Sequence, residues 1–481
     1  MPRPCDLKRR VFLFLALLLF SATMAACGGN GGPASSPTET EPLRTPPSIT
    51  PSPPPPESAY RLVWREAGAK EDVIWKTMPS NAGQREAIAR VPHREGTNIV
   101  ASLSPDQRLL AYLTLPEGAA DTDISQAEAH ILDLALKTDT VIGGNMDFKF
   151  RPFWSPDGQL LFMRRYAGSE ILAADVILIE TRVARAPLPG EPPPTPAATA
   201  APGATPPPPE DPLKPVLKAK YSQVLAFIPV AYGPDDRSLY FVQSSGGTQE
   251  GAILGQLTPA TAAAIDQAQA DWQAQVKAIL DAYPTPDPNA TPPPPDAPPT
   301  PAPPTLPPSP APSTKMVLQL TDQMGEDYEL SPDKTKLSFV VSGILEGGFV
   351  NEAMVADLTT SAVTPAPSAG LWTGDRVSPV WHPDGRLTLG LLPHAGPAGS
   401  AVLMPLGGGP PQFLHSPAKG FDAPRAWSPD GLYLAVTEYT GDSIANPGEA
   451  SLAVVAIGGQ RVEITKGEAN SSEIAILGWF K

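Results

Sequence analysis

The residues of this chain that could act as acids, bases, nucleophiles or metal ligands are few and lie far apart. The sequence contains no cysteine pair and no G-x-S-x-G, H-E-x-x-H, phosphate-binding or dinucleotide-binding motif. The five histidines fall in different stretches of the chain: His93, His130, His382, His394 and His415. We therefore assign no catalytic residue, no metal ligand and no cofactor from the sequence.

One acidic residue recurs in a fixed context. Residues 151–165 read "RPFWSPDGQLLFMRR", and five near-copies of this pattern follow or precede it. In such a turn, Pro presets φ, Asp bonds the local backbone and Gly allows a positive φ. These aspartates could instead line a face or bind an ion, but capping of a hairpin corner is the simpler interpretation. The six are Asp106, Asp157, Asp235, Asp333, Asp384 and Asp430.

The spacing of these corners indicates a repeat architecture. Without the insertions at 187–215 and 258–313, the corners recur every 42–51 residues. That period fits four short strands, which is the size of one propeller blade. The apolar runs on both sides of each corner, and two further runs before the next corner, have the lengths and turn residues typical of strands.

Tryptophan precedes the corner at one fixed place in several repeats. Trp154, Trp381 and Trp427 occupy it, and Trp479 has the same place in "ILGWF" near the end of the chain. We expect these four residues to pack between blades. The alternative is that they form a platform for carbohydrate.

The corner motif carries a family resemblance. "WSPDG" followed by an apolar strand resembles the WD40-like propeller repeat of TolB and related envelope proteins, and the propeller halves of prolyl-oligopeptidase-type peptidases. It extends over residues 58–481, less the insertions, and implies a propeller without implying a particular function. The departures from the motif put the geometry of individual corners in doubt: Gln107, Asp236 and Lys334 replace Gly, while Gly233 and His382 replace Ser.

The two ends of the repeat region complement each other. The stretch from residue 58 resembles the second, third and fourth strands of a repeat, and "EIAILGWFK" at the end resembles a first strand. The sequence therefore predicts an all-β fold, a seven-bladed β-propeller closed by N- and C-terminal strands, with one inserted helix and Pro-rich loops. Closure by strands from both ends leaves no long open edge.

The inserted helix is expected over residues 258–283, with Thr258 as N-cap and Pro259 at the first helical position. Its apolar face carries Trp272 and Tyr283, so it either packs on its own propeller or docks a partner. The flanking segments 187–215 and 284–313 are rich in proline, and we interpret them as solvated insertions. The alternative is a proline-rich ligand for a groove-type domain.

The beginning of the sequence predicts a cellular address. Residues 1–26 have a basic start and an apolar run of signal-peptide length, and they end in "MAAC". Small residues before a cysteine resemble the lipobox of bacterial lipoproteins, which implies cleavage before Cys27 and lipidation of its sulfur. Residues 27–57 would then form a Pro-rich stalk. The alternatives are an ordinary secreted protein or an uncleaved anchor.

Two classes of function follow from these observations. The first is a non-catalytic binding scaffold, lipid-anchored on the extracytoplasmic face of the bacterial membrane, with an envelope protein as partner. The second is a propeller enzyme of lyase or hydrolase type, with scattered residues at the channel mouth. A formal net charge of −15 argues against nucleic acid as a partner. A channel cluster of His and carboxylates would favour the enzyme, and an exposed apolar patch the scaffold.

Overall fold

A computed structural model describes the repeat region in segments. Contact clustering divides the chain into two units, Met1–Pro51 and Ser52–Lys481. The first unit, with the signal peptide and Cys27, lies outside the described residues. The described residues are 57–119, 126–166, 174–180, 216–224, 228–236, 238–244, 252–257, 262–282, 307, 314–321, 325–345, 348–367, 376–393, 398–444, 446–465 and 474–481.

The first half of the described chain is built almost entirely from strands. The strands are β1 (Arg61–Glu66), β2 (Glu71–Met78), β3 (Asn81–Pro92), β4 (Val100–Leu103), β5 (Leu109–Thr114), β6 (Ala127–Asp133), β7 (Thr138–Met146), β8 (Phe153–Trp154), β9 (Leu160–Tyr166), β10 (Ala174–Glu180), β11 (Val216–Val224), β12 (Ile228–Tyr232), β13 (Leu239–Ser244) and β14 (Ala252–Leu257). One helix follows, α1 (Ala262–Ala282).

The second half continues the pattern without a described helix. Its strands are β15 (Thr314–Thr321), β16 (Glu326–Leu330), β17 (Lys336–Leu345), β18 (Gly348–Asp357), β19 (Ala362–Pro365), β20 (Arg376–Trp381), β21 (Leu387–Leu391), β22 (Ala398–Gly399), β23 (Ala401–Met404), β24 (Gln412–Phe413), β25 (Gly420–Trp427), β26 (Tyr433–Tyr439), β27 (Ala450–Ala456), β28 (Arg461–Glu463) and β29 (Ile474–Phe480).

Burial follows the position of each strand within its sheet. The strand directly after a corner is apolar on both faces, as in β5 (LLAYLT) and β26 (YLAVTEY). Such a strand lies between two others of its own sheet and is covered by neighbouring sheets on both faces, so alternation of polar and apolar residues is lost. Strands at the outer edge, such as β3 and β19, are mostly exposed.

The described strands form six sheets whose neighbours are antiparallel, apart from one short parallel pair between β22 and β25. Most neighbours follow one another along the chain, and the pairs β29–β1 and β7–β9 are exceptions. The order within the sheets is β29-β1-β2-β3, β12-β13-β14-β15, β16-β17-β18-β19, β20-β21-β23-β24 and β22-β25-β26-β27-β28, with one sheet of eight strands containing β4 to β11. The all-β class and the propeller-like arrangement are thereby confirmed.

The first sheet is assembled from both ends of the repeat region. β29 pairs with β1 in antiparallel register, with Leu62 opposite Trp479 and Arg61 opposite Phe480. The sequence predicts this pairing, because β29 supplies the first strand that the stretch after residue 58 lacks. A bulge between Val63 and Trp64 interrupts the register.

The count of six sheets differs from the seven blades expected from the sequence. Two consecutive repeats share the sheet of eight strands, because the pair Met146 and Arg165 joins β7 to β9. Apart from that junction, β4 to β7 and β8 to β11 each follow the four-strand pattern of the other sheets.

The first strands of successive repeats contact one another and form the inner wall of the molecule. Contacts join β29 to β4, β4 to β8, β12 to β16, β16 to β20, β20 to β25 and β25 to β29. The Tyr232 hydroxyl of β12 donates to the Phe153 carbonyl of β8 at 3.2 Å, which links those two strands. Apolar clusters fill the spaces between neighbouring sheets, for example Leu62 and Trp64 against Tyr433 and Leu452.

The helix α1 begins after the expected N-cap, and Thr258, Pro259 and Tyr283 lie outside the described residues. α1 contacts β11, an outer strand of the preceding repeat. Among the described residues, no helix has the length and apolar content needed to cross a membrane.

Candidate functional site

The aspartates of the corners are held by local hydrogen bonds. In the first corner the Ser104 hydroxyl donates to Asp106 Oδ1 at 2.6 Å and accepts the Leu109 amide at 2.9 Å. Asp106 Oδ1 also accepts the Arg108 amide at 3.1 Å. The same three bonds occur at Asp157, Asp333 and Asp430, where the serine–aspartate distances are 2.5–2.6 Å. These four carboxylates therefore cap the turn between the first and second strands.

The two corners without serine use other donors. At Asp384 the Arg386 amide and guanidinium donate to the carboxylate, and His382 Nδ1 lies 2.7 Å from it. Burial opposes ionisation there, but the bonds from Arg386 and His382 lower the pKa of Asp384 to about 2. At Asp235 the carboxylate accepts the Ser238 hydroxyl at 2.5 Å and the Ser238 amide at 2.8 Å. All six aspartates thus have a structural use.

The corner geometry survives where glycine is replaced. The replacing residues have the same left-handed backbone as the glycines of the other corners: Gln107 (φ 62°), Asp236 (φ 55°) and Lys334 (φ 60°), against Gly158 (φ 70°), Gly385 (φ 89°) and Gly431 (φ 71°). An L residue in this region costs about 1–2 kcal/mol relative to glycine.

Two of these side chains reach a neighbouring repeat. The Gln107 amide donates to the Lys481 carbonyl at 2.8 Å and accepts Lys76 Nζ at 2.6 Å. Lys334 Nζ donates to the Gly233 carbonyl at 2.8 Å and pairs with Asp236. The sequence left the geometry of these corners in doubt. The structure has regular corners there, with added hydrogen bonds between repeats.

The four corner tryptophans lie between repeats. Each is 4–8% exposed, and each donates its indole N–H to the preceding repeat. The acceptors are the Ser102 carbonyl for Trp154 (3.0 Å), the Glu329 carbonyl for Trp381 (3.0 Å), the Thr388 hydroxyl for Trp427 (2.7 Å) and the Ala426 carbonyl for Trp479 (3.0 Å). Buried rings with satisfied N–H groups are unsuited to an open carbohydrate platform.

A pocket of about 430 Å³ lies at the corner end of β29, β4 and β8. Its walls are largely aromatic and include Phe153, Trp154, Trp479 and Phe480, with Ser102, Leu103, Pro105 and Pro152 beside them. Arg151 is the charged residue among the described residues that line it. An apolar cavity with one well-placed polar group is the usual form of a ligand site.

The Arg151 guanidinium is fixed across the inner wall. Its Nη2 donates to the Leu477 carbonyl at 2.9 Å and its Nη1 to the Ile476 carbonyl at 3.3 Å, both on β29. A guanidinium has five N–H donors. The other three donors of Arg151 have no hydrogen-bond partner among the described residues. The residue is accessible to solvent, but the protein atoms around the guanidinium desolvate it and lower its pKa. The arrangement leaves a positioned cation free to meet an anionic or carbonyl group.

The four described histidines do not meet at this pocket. His93 is buried, and its Nε2 lies 2.9 Å from Asp72 Oδ1 while its Nδ1 lies 2.8 Å from the Arg94 carbonyl. His130 Nδ1 lies 2.8 Å from Asp139, within one sheet. His382 belongs to its corner, His415 lies in an exposed loop, and His394 is outside the described residues.

Three carboxylates lie on another part of the inner wall. Glu326, Asp327 and Glu329 belong to the first strand β16, and the Ser378 hydroxyl donates to Asp327 at 3.1 Å. The surrounding atoms desolvate the half-buried Glu329 and raise its pKa to about 8, with a smaller contribution from Asp327. Within the described part of the chain, these carboxylates and the other His, Cys, Asp and Glu side chains form no group of three or more that could hold a metal ion.

Helix α1 presents a narrow apolar strip. Trp272 is half-buried and its indole N–H donates to the Pro307 carbonyl at 3.0 Å. The position of Tyr283 and the lipidation of Cys27 fall on residues outside the described part of the chain.

Sequence reasoning missed Arg151 and Phe480, the residues that complete the pocket. Both stand within stretches that the repeat analysis used, "RPFWSPDG" and "ILGWF". The available signal was a cation three residues before the corner tryptophan, just ahead of the first strand of its repeat. Only the pairing of β29 with β1 brings Phe480 beside Arg151.

Solved structures that resemble this chain include TolB proteins and the β-propeller domain of a protease. TolB from Acinetobacter baumannii is 13% identical, with 75% of this chain and 64% of that chain covered and a TM-score of 0.37. The β-propeller domain of the Trilobed protease from Pyrococcus furiosus is 9% identical, with 87% and 95% covered and a TM-score of 0.45. An oligogalacturonate lyase in complex with manganese is 10% identical, with 87% and 88% covered and a TM-score of 0.43.

This chain therefore spans less than two thirds of the A. baumannii TolB chain. No model of a protein family matches the chain, and no curated protein sequence matches it. The fold assignment rests on the strand pairings described above.

Proposed function

We propose that this protein is a non-catalytic scaffold that binds a protein partner in the bacterial cell envelope. The observation that carries the proposal is the aromatic pocket around Arg151, since the corner aspartates and the side chains of His93, His130 and His382 are engaged in structural bonds. The pocket offers apolar ring surface together with a guanidinium that is already positioned by β29. Aromatic residues and arginine are the types that dominate binding hot spots.

The chemistry of the pocket favours a partner segment with an apolar side chain next to a carboxylate. A guanidinium binds carboxylate in bidentate geometry, and its planar shape makes the contact directional. The rings of Phe153 and Phe480 are only half-buried, so their surfaces are open to an apolar side chain of the partner.

We also propose seven blades rather than six. The sheet of eight strands is joined by the single pair Met146 and Arg165. An apolar cluster packs Leu109 and Ala111 of β5 against Trp154 and Leu161 of β8 and β9, as neighbouring sheets pack elsewhere in the molecule. Both observations support two blades that touch at one residue pair.

The address belongs to the proposal as well. A lipidated Cys27 on the extracytoplasmic face would tether the propeller through the segment 27–57. We expect the protein to partition into detergent with the membrane, and Cys27→Ala to release it or leave it unprocessed. Membrane fractionation with mass spectrometry of the mature N-terminus checks this. Identical fractionation and processing of the variant would exclude a lipid anchor.

Photo-crosslinking on intact cells tests the binding function. A benzophenone amino acid at Phe480 should give a specific envelope-protein adduct, whereas the same probe at Met316, 67% exposed on β15 of another sheet, should not. Arg151→Lys keeps the positive charge and removes the planar guanidinium that can bind a carboxylate with two hydrogen bonds. We expect this variant to reduce the yield of the adduct at least tenfold. The melting temperature of each variant is measured in parallel. Equal labelling from both probe sites, or an adduct indifferent to Arg151, would contradict the proposal.

One observation favours the second candidate, a propeller enzyme: the carboxylates Glu326, Asp327 and Glu329 share one strand of the inner wall. A carboxyl group with a pKa near 8 could act as a general acid at neutral pH. The purified protein can be assayed against oligosaccharides and peptides. An activity that Glu329→Gln lowers at least a hundredfold would favour the enzyme, and a fold-preserving variant without effect would favour the scaffold.

A further inference from the structure

The exposed helix α1 carries a strip of three apolar residues that is only partly covered. Trp272, Val276 and Ile279 follow one another at spacings of four and three and are half-buried. The side chains described around them are exposed, and two same-face polar pairs, Gln267 with Asp271 and Lys277 with Asp281, lie in solvent. The strip is therefore not a core face, because a core helix would bury these residues completely.

The strip is in contact with the chain's own proline-rich segment. The Trp272 indole N–H donates to the Pro307 carbonyl at 3.0 Å, across 35 residues of sequence, and Pro307 is itself half-buried. Pro307 belongs to the stretch "TLPPSP" of the segment 284–313. A proline has no N–H, so such a segment cannot join a sheet through that residue and presents carbonyl acceptors instead.

We propose that the strip of Trp272, Val276 and Ile279 is a binding surface for proline-rich chain, and that its occupant is the segment around Pro307. A flat aromatic ring that donates its N–H to a prolyl carbonyl is the contact by which aromatic grooves recognise proline-rich ligands. The occupant is tethered to the helix, so it acts at an effective concentration in the millimolar range. In this proposal, α1 binds the segment around Pro307, which follows it in the same insertion.

The proposal is independent of the pocket at Arg151, because the helix contacts β11 and the pocket lies at β29, β4 and β8. The proposal also predicts which free ligand can compete with the tethered segment for the strip. A free peptide of the same chemistry should occupy the strip once the tethered segment has been replaced.

Indole N–H resonances of the 15N-labelled protein test the proposal. Trp272→Phe identifies the resonance, and replacement of residues 301–312 by a Gly/Ser sequence of equal length should move it to a solvent-exposed position. The resonances of the corner tryptophans serve as the control for an intact fold and should not move. A synthetic peptide of residues 300–312 should then restore the Trp272 resonance saturably.

The matched control is the same peptide with Gly-Gly in place of Pro307 and Pro308, which should bind at least tenfold more weakly. If the Trp272 resonance is unchanged by the replacement, the segment does not occupy the strip. If it moves but no peptide restores it, or both peptides restore it equally, the strip does not recognise proline-rich chain.

Discussion

At the scale of single residues, the molecule depends on a few side chains that hold tight turns. The serine of a corner serves two partners at once, a carboxylate on one side and a buried amide on the other. An unsatisfied buried amide costs more than a hydrogen bond contributes when it forms. The serine is thus as important to the corner as the proline and the aspartate that make the motif recognisable.

Replacement of one such serine should be clearly destabilising. Ser155→Ala removes the acceptor of the Leu160 amide and the donor to Asp157, and we expect the free energy of unfolding to fall by about 1–3 kcal/mol. Denaturant titration measures this. Ser80→Ala, in the exposed turn between β2 and β3, is the control and should change stability by less than about 0.5 kcal/mol. Equal effects at both serines would contradict the role of the corner.

The titration of Glu329 should be visible in the stability at neutral pH. The pKa of about 8 in the folded protein lies above the usual value of 4.5, so between these values the folded state retains a proton that the unfolded state has lost. Stability from this group is therefore present below pH 4.5 and is lost as pH rises to 8.

Melting temperatures at pH 5 and pH 9 check the sign of this effect. Glu329→Gln should show a smaller loss between these values than wild type, because the amide cannot ionise. Glu86→Gln alters an exposed carboxylate and should follow wild type. A parallel loss in Glu329→Gln would mean that the carboxyl ionises freely in the folded protein.

At the scale of elements, the strands and corners could be predicted from the sequence, and their relations in space only in part. Apolar runs around Pro-Asp turns define local hairpins, which need no distant information. The pairing of β1 with β29 could be predicted because the missing strand of one end matched the spare strand of the other. The contact of Arg151 with the Ile476 and Leu477 carbonyls could not, since it depends on how three inner strands meet.

For the helix α1, too, the local structure could be predicted from the sequence and its contacts in space could not. Its existence and its Trp272 face follow from a spacing of three and four residues in the sequence. Its contacts with β11 and with Pro307 could not be predicted, because neither partner lies next to the helix in the sequence. The regular geometry of the corners that lack glycine could not be predicted for a related reason. A local motif cannot reveal that Gln107 and Lys334 bind neighbouring repeats.

The proline-rich insertion at 187–215 should be dispensable for folding. Its replacement by a short Gly/Ser link joins the same strands, and the entropy of loop closure changes only with the logarithm of the loop length. We expect the melting temperature to shift by no more than about 2 °C. In larger domains, a change of 1 kcal/mol in the free energy of unfolding shifts the melting temperature by about 2–4 °C. Differential scanning calorimetry measures it. A large loss of stability would show that the segment packs on the propeller.

At the scale of the whole molecule, stability should depend on closure of the ring. Removal of residues 474–481 takes away β29, with the buried Leu477 and Trp479, and opens the pairing edge of β1. We expect loss of the cooperative transition or aggregation, since an open strand edge invites pairing with another chain. Calorimetry and light scattering measure the outcome.

The control for this deletion is the double replacement of Ile474 and Ala475 by threonine, which keeps the strand and its backbone bonds. We expect this variant to melt cooperatively. If the shortened chain also melts as a single cooperative transition without aggregation, β29 is not needed for closure.

The pairing of β1 with β29 also determines when the first sheet can be completed during synthesis of the chain. The partners are separated by roughly 400 residues, so β1 to β3 leave the ribosome about 20–80 s before β29 at ordinary rates of synthesis. During that interval the inner edge of β1 has no partner, and Trp64 and Leu62 lack the cover of Trp479. An exported chain would cross the membrane in this state. The first sheet is thus complete only after the last strand has been made, and until then β1 is an open edge at which another chain could pair.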